Sequence, residues 1–85
     1  LAEQIELFVM DEPTRGIDVG ARRDIYALLY DLAEQGKSVL VISSDLAEVS
    51  SICDRIGVMR DGELIEVVPR EEATPERLLG LALPA

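Results

Sequence analysis

Two adjacent carboxylates provide the clearest chemical signal in the chain. Asp11 and Glu12 follow directly after a wholly apolar run at residues 7–10. If that run is a strand of a parallel sheet, the two acids lie at its carboxyl edge, where open α/β folds bind their ligands. In a site that hydrolyses nucleotides, the first acid can hold magnesium and the second can orient or deprotonate the attacking water. The alternative is a solvated acidic loop that follows a core strand.

The elements that must position these acids follow from the spacing of apolar residues. Residues 7–10 predict a strand that is buried on both faces of a parallel sheet, and the aliphatic run within residues 38–43 predicts a second such strand. Between them, residues 21–35 predict a helix that ends at Gly36. Its apolar face is formed by residues at helical spacing, namely Ile25, Leu28, Leu29 and Leu32.

The second half of the chain predicts a helix followed by a β-hairpin. Asp45 and Glu48 have the spacing of a capping box at the start of a helix. Further on, an Asp-Gly pair at positions 61–62 separates two strand-like runs at residues 55–60 and 63–68. Such a pair between two strands favours a tight turn, so we expect these runs to form a hairpin.

The chain closes with a further helix. Pro69 stops the second hairpin strand, and Thr74 followed by Pro75 has the pattern of an N-cap and a first helical position. The order of elements is therefore strand, helix, strand, helix, hairpin, helix, which indicates an α/β fold.

Composition excludes several classes of function. The 85 residues suffice for one small domain at most, and 48% hydrophobic with 29% charged residues is a globular composition. Acidic residues number 17 against 8 basic ones, a balance that repels nucleic acid and anionic membrane surfaces. Cys53 is the single cysteine and histidine is absent, so an internal disulfide and a Cys/His metal site are excluded and a reducing cytoplasm is expected. No segment approaches the ~20 apolar residues of a membrane span.

Residues 7–14, Leu-Phe-Val-Met-Asp-Glu-Pro-Thr, resemble the Walker B motif and catalytic glutamate of ABC ATPases. Residues 15–18 stand where the D-loop of that family follows. Residues 41–45, Val-Ile-Ser-Ser-Asp, resemble its switch region, in which most members have histidine at the position of Ser44. Residues 55–63 resemble the strand and hairpin that close the domain. The resemblance covers about three quarters of the chain, in matching order.

The resemblance implies a fold and a place within a larger protein. It implies an α/β fold that forms part of a P-loop NTPase core, with parallel strands, helices, a C-terminal β-hairpin and a helix. Residues 1–85 would be the C-terminal part of one ABC ATPase domain. The start of the chain, which reads as a helix already in progress and has no initiator methionine, also leads us to expect a fragment. The string at residues 11–21, together with Ser-Ser-Asp at 43–45, resembles the second cassette of fused double ATPases that import pentoses and hexoses.

The same resemblance implies roles for four residues, with ATP and magnesium as cofactors. Asp11 would hold magnesium, through water, and Glu12 would be the catalytic carboxylate. Asp18 would communicate across the ATPase dimer as a D-loop residue, or serve as a helix N-cap, or both. Ser44 would occupy the switch position, where a serine hydroxyl is shorter than histidine and a poor base. We therefore expect this cassette to bind ATP better than it hydrolyses it.

The implied partners are transmembrane permease subunits, the other ATPase cassette and, indirectly, a periplasmic sugar-binding protein. This places the intact protein peripherally on the cytoplasmic face of the inner membrane, without nucleic acid as a partner. Two alternatives stay open on the sequence. The chain could derive from a non-transport ABC ATPase of DNA repair or the ribosome, or it could be a non-catalytic α/β interaction module in which Asp11 and Glu12 are incidental.

Parts of an ATPase site are missing from the sequence. Gly36-Lys37-Ser38 looks like the end of a P-loop, but Asp31 stands where its first glycine is required, and the segment follows a helix instead of opening one. The serine-glycine-glycine signature of ABC domains is also absent. We therefore expect no tight ATP binding and no appreciable hydrolysis by these 85 residues alone.

The strand order of the family also predicts association of the chain with itself. There, the P-loop strand lies between the strands at residues 39–43 and 55–60, so the sheet would have a gap. Either these two strands pair directly or another chain covers their edges. We expect a homo-oligomer.

Among other side chains, we expect Phe8, Tyr26 and Tyr30 to serve packing, either in the core or at an interface. Cys53 is predicted to be a small buried hydrophobe, and Lys37 is predicted to be a surface lysine in a turn.

Overall fold

A computed structural model describes residues 6–83 of the chain. It forms two compact units that divide between Ser44 and Asp45. The first unit contains strand β1, helix α1 and strand β2, and the second contains helix α2, the β3–β4 hairpin, a single 3₁₀ turn and helix α3. The bounds are β1 Leu7–Asp11, α1 Val19–Glu34, β2 Ser38–Ile42, α2 Leu46–Ile52, β3 Arg55–Arg60, β4 Glu63–Pro69, the 3₁₀ turn Arg70–Glu72 and α3 Pro75–Ala82.

The predicted α/β fold with parallel strands is confirmed. β1 and β2 pair in parallel, with Leu7 opposite Ser38 and Asp11 opposite Ile42. Among the described residues, β1 pairs with β2 and β3 pairs with β4. The start of the chain, for which the sequence predicts a helix already in progress, falls on residues 1–5 and lies outside the described part of the chain.

The prediction that β1 and β2 are buried on both faces is wrong for this chain. Burial alternates along both strands, and in register the exposed positions of β1 stand beside those of β2. Val9 is 54% exposed and its partner Leu40 is 52% exposed, whereas Phe8 and Val39 are half-buried. Such an alternation is expected when one face of a sheet is packed against other residues and the opposite face is open to solvent. One face of the parallel pair therefore presents apolar side chains outward, namely Leu7, Val9, Leu40 and Ile42.

Helix α1 starts two residues earlier than the sequence pattern predicts. Asp18 has an extended backbone and its side chain accepts a hydrogen bond from the N–H of Ala21, so the helix begins at Val19. Gly36, with φ of +86°, terminates it as predicted. On its apolar face only Leu29 is fully buried, and the prediction that Leu28 is also covered is wrong because Leu28 is exposed.

Phe8, Tyr26 and Tyr30 were expected to pack in the core or at an interface, and this expectation is met in part. Phe8 and Tyr26 are half-buried. Tyr30 is exposed and so does not belong to the core of its unit.

The second unit is built around the hairpin, as the sequence predicts. Asp61 and Gly62 both have positive φ, at 53° and 81°, the geometry of the tight turn that favours an Asp-Gly pair. Pro69 is the last residue of β4. The core that the hairpin shares with the helices consists of six buried residues, namely Val49, Ile56, Val58, Val68, Ala73 and Leu78.

Both helix starts of this unit have the predicted caps. The carboxylate of Asp45 accepts from the N–H of Glu48 at 3.1 Å, and the hydroxyl of Thr74 accepts from the N–H of Arg77 at 3.1 Å. Pro75 occupies the first position of α3. These side chains satisfy N–H groups that a helix start leaves without helical partners.

Arginine side chains tie the elements of the second unit together. Arg77 on α3 reaches Glu66 on β4 at 2.6 Å and Glu72 in the 3₁₀ turn at 2.7 Å. The hydrogen bond to Glu72 is the main reason that the pKa of Arg77 is raised above its ordinary value. Arg60 on β3 donates to the carbonyls of Leu81 and Leu83, where a cation compensates the carbonyl end of α3.

Cys53 packs against the core of the second unit but is only half-buried, so the predicted burial of this small hydrophobe is met in part. It ends α2, and its carbonyl accepts a hydrogen bond from the side chain of Arg70. This burial, reinforced by the nearby charges of Asp54 and Glu48, raises the pKa of the Cys53 thiol.

Among the described residues, the helices are too short or too polar to cross a membrane.

Candidate active site at the carboxyl edge of the parallel strands

The two acids singled out by sequence lie at the carboxyl edge of the parallel pair, as predicted. β1 ends at Asp11 and β2 ends opposite it at Ile42. Asp11 is exposed at this edge. Because parallel strands end on the same side of a sheet, the loops after β1 and β2 are neighbours there.

Glu12 has an unusual backbone conformation. Its φ is +50°, in the left-handed region that few residues other than glycine adopt. Its N–H donates a hydrogen bond of 2.6 Å to the carbonyl of Ile42, which extends the ladder between β1 and β2 by one residue. Its carbonyl accepts from the N–H of Arg15 at 3.2 Å. These main-chain contacts hold Glu12 at a point where the chain turns out of the strand.

Within residues 6–83, the carboxylate of Glu12 has two polar contacts, and both use the same oxygen. The N–H of Ser44 donates to Oε2 at 3.0 Å, and Nη2 of Arg15 lies 3.6 Å from the same atom. The Glu12 side chain is 23% exposed, whereas that of Arg15 is 71% exposed. A carboxylate that is held through one oxygen at a sheet edge can accept a proton or a hydrogen bond at the other.

Ser44 reaches the site through its main chain. The sequence indicated the Ser44 side chain as the group at the switch position, but the contact that links this residue to Glu12 is made by its N–H. A backbone N–H is present in every residue type except proline, so no residue pattern could have indicated it. Arg15 was also missed as a partner of Glu12, although opposite charges three residues apart are a signal that the sequence offers.

Asp18 is the N-cap of α1, one of the two roles left open by sequence. Its Oδ1 accepts from the N–H of Ala21 at 2.8 Å. The structure thus joins Glu12 to Ser44, whereas this contact of Asp18 is to the helix that it starts. In the loop between Glu12 and Asp18, Thr14 is 4% exposed, and its carbonyl accepts a hydrogen bond from the N–H of Ile17. This loop is therefore held in place by a buried residue.

The donor set at this edge suits magnesium only in part. Within residues 6–83, no group of three or more histidine, cysteine or acidic side chains could enclose a metal ion. Magnesium usually takes one or two protein carboxylates and completes its shell with water and phosphate oxygens. The exposed Asp11 fits the role of such a carboxylate, provided that a nucleotide supplies the phosphates.

Within the described part of the chain, the hollow beside Asp11 lacks groups that could bind a phosphate. This shallow hollow has a volume of about 300 Å³, and its remaining lining is apolar, with Val9, Met10, Ile25 and Leu28 as examples. Phosphate sites need N–H groups or cationic side chains that converge on the anion. This hollow has an apolar lining instead.

The segment Gly36-Lys37-Ser38 is a connection between a helix and a strand, as predicted. It follows α1 and leads into β2. Nζ of Lys37 pairs with the carboxylate of Glu6 at 2.9 Å and with the side-chain oxygen of Gln35 at 3.1 Å. Lys37 therefore lies in the turn between α1 and β2, where its ammonium group contacts these two side chains.

Three known proteins of similar sequence are named as arabinose import ATP-binding proteins. The arabinose import ATP-binding protein AraG of Chromohalobacter salexigens is 87% identical over 85 residues, which are 100% of this chain and 17% of that protein. The arabinose import ATP-binding proteins of Burkholderia ambifaria and Azospirillum brasilense are each 58% identical over 84 residues, 99% of this chain and 16% of theirs. The chain thus spans about 17% of the length of the relatives it matches, in a C-terminal portion. No protein-family model matches it.

Proposed function

We propose that the chain is a C-terminal portion of an ABC-type sugar-import ATP-binding protein and that it supplies part of the ATP-hydrolysing site that energises this import. One observation carries the proposal. The carboxylate of Glu12 lies at the carboxyl edge of two parallel strands and is held there by the N–H of Ser44. Ligands of open α/β sheets bind at this edge.

In the proposed site, Glu12 orients and polarises the water that attacks the γ-phosphate. Asp11 holds magnesium, with water between them, and this ion neutralises the developing phosphate charge. Phosphoryl transfer depends mainly on positioning and charge stabilisation. The restrained carboxylate of Glu12 and the exposed carboxylate of Asp11 are suited to these two tasks.

Two further roles belong to the proposal. Asp18 both caps α1 and serves as the D-loop residue that communicates with the second cassette. Ser44 takes the switch position with a hydroxyl that is uncharged and a poor base. The cassette accordingly binds ATP better than it hydrolyses it.

We assign residues 1–85 to the C-terminal part of one ABC ATPase domain of the P-loop class. The sequence contains no G-x-x-x-x-G-K-[ST] pattern, so the phosphates require groups from elsewhere in the intact protein. Asp11 and Glu12 therefore form half of a site. The 85-residue chain on its own is expected to hydrolyse no ATP.

The proposed substrate of the importer is arabinose, because the relatives carry that name. The partners in the proposal are transmembrane permease subunits, the other ATPase cassette and, indirectly, a periplasmic sugar-binding protein. The intact protein then works peripherally at the cytoplasmic face of the inner membrane.

For the 85-residue chain in isolation, we propose self-association. The outward apolar face of β1 and β2 supports this, because exposed apolar surfaces of this kind favour association. Light scattering at high concentration is expected to give a mass above that of one chain. A strict monomer would contradict the proposal.

Uptake of labelled arabinose tests the function in cells. A strain that lacks the intact protein would be complemented with the wild type, with Glu12→Gln, or with Glu34→Gln, an exposed glutamate at the end of α1. We expect uptake with the wild type and with Glu34→Gln, and none with Glu12→Gln at equal protein levels. Arabinose uptake that persists with Glu12→Gln would overturn the proposed role, and restored uptake of another sugar but not of arabinose would overturn the substrate.

A further inference from the structure

Glu12 needs contacts beyond its own strand to serve as a positioned base. It lies one residue past β1, where the chain turns at a φ of +50°. A glutamate side chain has several rotatable bonds, so an unrestrained carboxylate samples many positions relative to a bound water. Catalysis by orientation requires that this freedom be removed before the reaction.

The restraint comes from the two loops that meet at this edge. Ser44, in the loop after β2, donates its N–H to Oε2 of Glu12 at 3.0 Å. Arg15, in the loop after β1, places Nη2 at 3.6 Å from the same oxygen. Neither contact uses Oε1. One oxygen of the carboxylate is thus held from two sides, and the other can face a water.

We propose that the main-chain N–H of Ser44 and the guanidinium of Arg15 are positioning groups for Glu12, an inference that rests on the proposed ATPase function. Position 44 then contributes to the site through its backbone, and this contribution does not depend on a histidine side chain. The N–H of Ser44 is the stronger of the two groups, because a hydrogen bond to a charged acceptor contributes more than one between neutral groups. Arg15 is the weaker, because its side chain is 71% exposed and solvent screens the charge.

The first test separates the N–H of position 44 from its side chain. Steady-state ATP hydrolysis by the intact ATP-binding protein, with magnesium, would be compared for Ser44→Pro, which lacks the N–H, and Ser44→Ala, which keeps it. We expect the kcat of Ser44→Pro to be roughly tenfold or more below that of Ser44→Ala, the loss of one hydrogen bond to a charged group. We expect the KM for ATP to be similar in both, because the bond orients a group that acts in the transition state.

The second test concerns Arg15 and has a matched control. Arg23 is an exposed arginine on α1, and Arg23→Ala is expected to have the wild-type kcat. For Arg15→Ala we expect a kcat about two- to fivefold lower, the range of an exposed ion pair. Arg15→Lys should recover most of this loss, since it restores the charge. The difference between Arg15→Ala and wild type should shrink at high salt, which screens exposed charges.

Several results would overturn the inference. A Ser44→Pro variant that binds ATP and loses no more kcat than Ser44→Ala would do so, as would a loss that appears only in KM. If Ser44→Pro no longer binds ATP, the Arg15 series decides, and an Arg15→Ala kcat equal to that of Arg23→Ala overturns the inference. Glu12→Gln separates this failure from failure of the proposed function. That variant keeps an oxygen that can accept from Ser44 but loses the charge, so unchanged turnover in Glu12→Gln would refute the function itself.

Discussion

The N–H of Ser44 donates a hydrogen bond of 3.0 Å to the carboxylate of Glu12, and the two residues are 32 positions apart in sequence. This bond joins the loops that follow the two parallel strands. Together with the contact from the Glu12 N–H to the carbonyl of Ile42, it holds a residue whose positive φ is intrinsically unfavourable. Outside tight turns such as that at Asp61, residues held in this conformation cluster at functional sites. The geometry of Glu12 fits that pattern.

Two adjacent leucines of α3 should differ sharply in their contribution to stability. Leu78 is 1% exposed and belongs to the core of the second unit, whereas Leu79 is 47% exposed. Leu78→Ala removes buried methyl groups and leaves a cavity, so we expect it to lower the free energy of unfolding by about 2–5 kcal/mol. Leu79→Ala should change it by roughly 0.5 kcal/mol or less. Urea unfolding followed by circular dichroism measures both, and equal losses would show that this core assignment is wrong.

Asp18 allows its capping role to be separated from a role in turnover. Asp18→Ala removes the acceptor for the Ala21 N–H, and we expect a loss of about 1 kcal/mol in the stability of the first unit. Asp18→Asn keeps a good cap and removes the charge, so it should fold with nearly wild-type stability. If Asp18 is also a D-loop residue, Asp18→Asn should still lower ATP hydrolysis in the intact protein. Wild-type turnover in Asp18→Asn would exclude a D-loop role that depends on the charge of Asp18 and would leave helix capping as the role of this residue.

Features that depend on neighbouring residues were predicted well from sequence. The Asp61-Gly62 turn follows from the two positive φ angles that a tight hairpin needs, and few residues accept them. Caps at Asp45 and Thr74 follow likewise from side chains that can reach an N–H three residues on. The start of α1 was misjudged by two residues because the apolar pattern begins after Asp18, while the cap determines where the helix begins.

Features that depend on distant parts of the chain could not be predicted in the same way. An apolar run such as that of β1 predicts burial, but how much of it is covered depends on what packs against each face, and Val9 remains exposed. Leu28 is exposed for the same kind of reason, although its spacing places it beside Leu29 on the apolar side of α1. The bond between Ser44 and Glu12 involves a backbone N–H, which carries no signal in residue type.

The thiol of Cys53 should react slowly at neutral pH and faster as the pH rises. Burial raises its pKa above the ordinary value of 9.0, and the charges of Asp54 and Glu48 raise it further. Because the thiolate is the reactive form, alkylation by iodoacetamide at pH 8 should be slower in the folded chain than in the unfolded chain. Asp54→Asn removes one of these charges and should accelerate the reaction. An unchanged rate would exclude a contribution from Asp54.

The raised pKa of Cys53 also makes the stability of the folded chain depend on pH. A thiol whose folded pKa is raised contributes stability below its ordinary pKa, and this contribution is lost as the pH rises through the folded value. We therefore expect the urea midpoint of the chain to fall above about pH 9, and to fall less in Cys53→Ala. The same fall in Cys53→Ala would assign the alkaline loss to other groups.

Glu12 is proposed to be the carboxylate that activates water in an ATP-hydrolysing site, and the Glu12→Gln variant of the intact protein tests this role most directly. Glutamine keeps the shape of the side chain and an oxygen that can accept from Ser44, but it cannot take a proton from water. ATP turnover and nucleotide affinity would be measured on the same preparation. We expect turnover to fall by roughly 10²–10⁴-fold while ATP still binds with wild-type affinity. Turnover equal to the wild type in a variant that binds ATP normally would contradict this role.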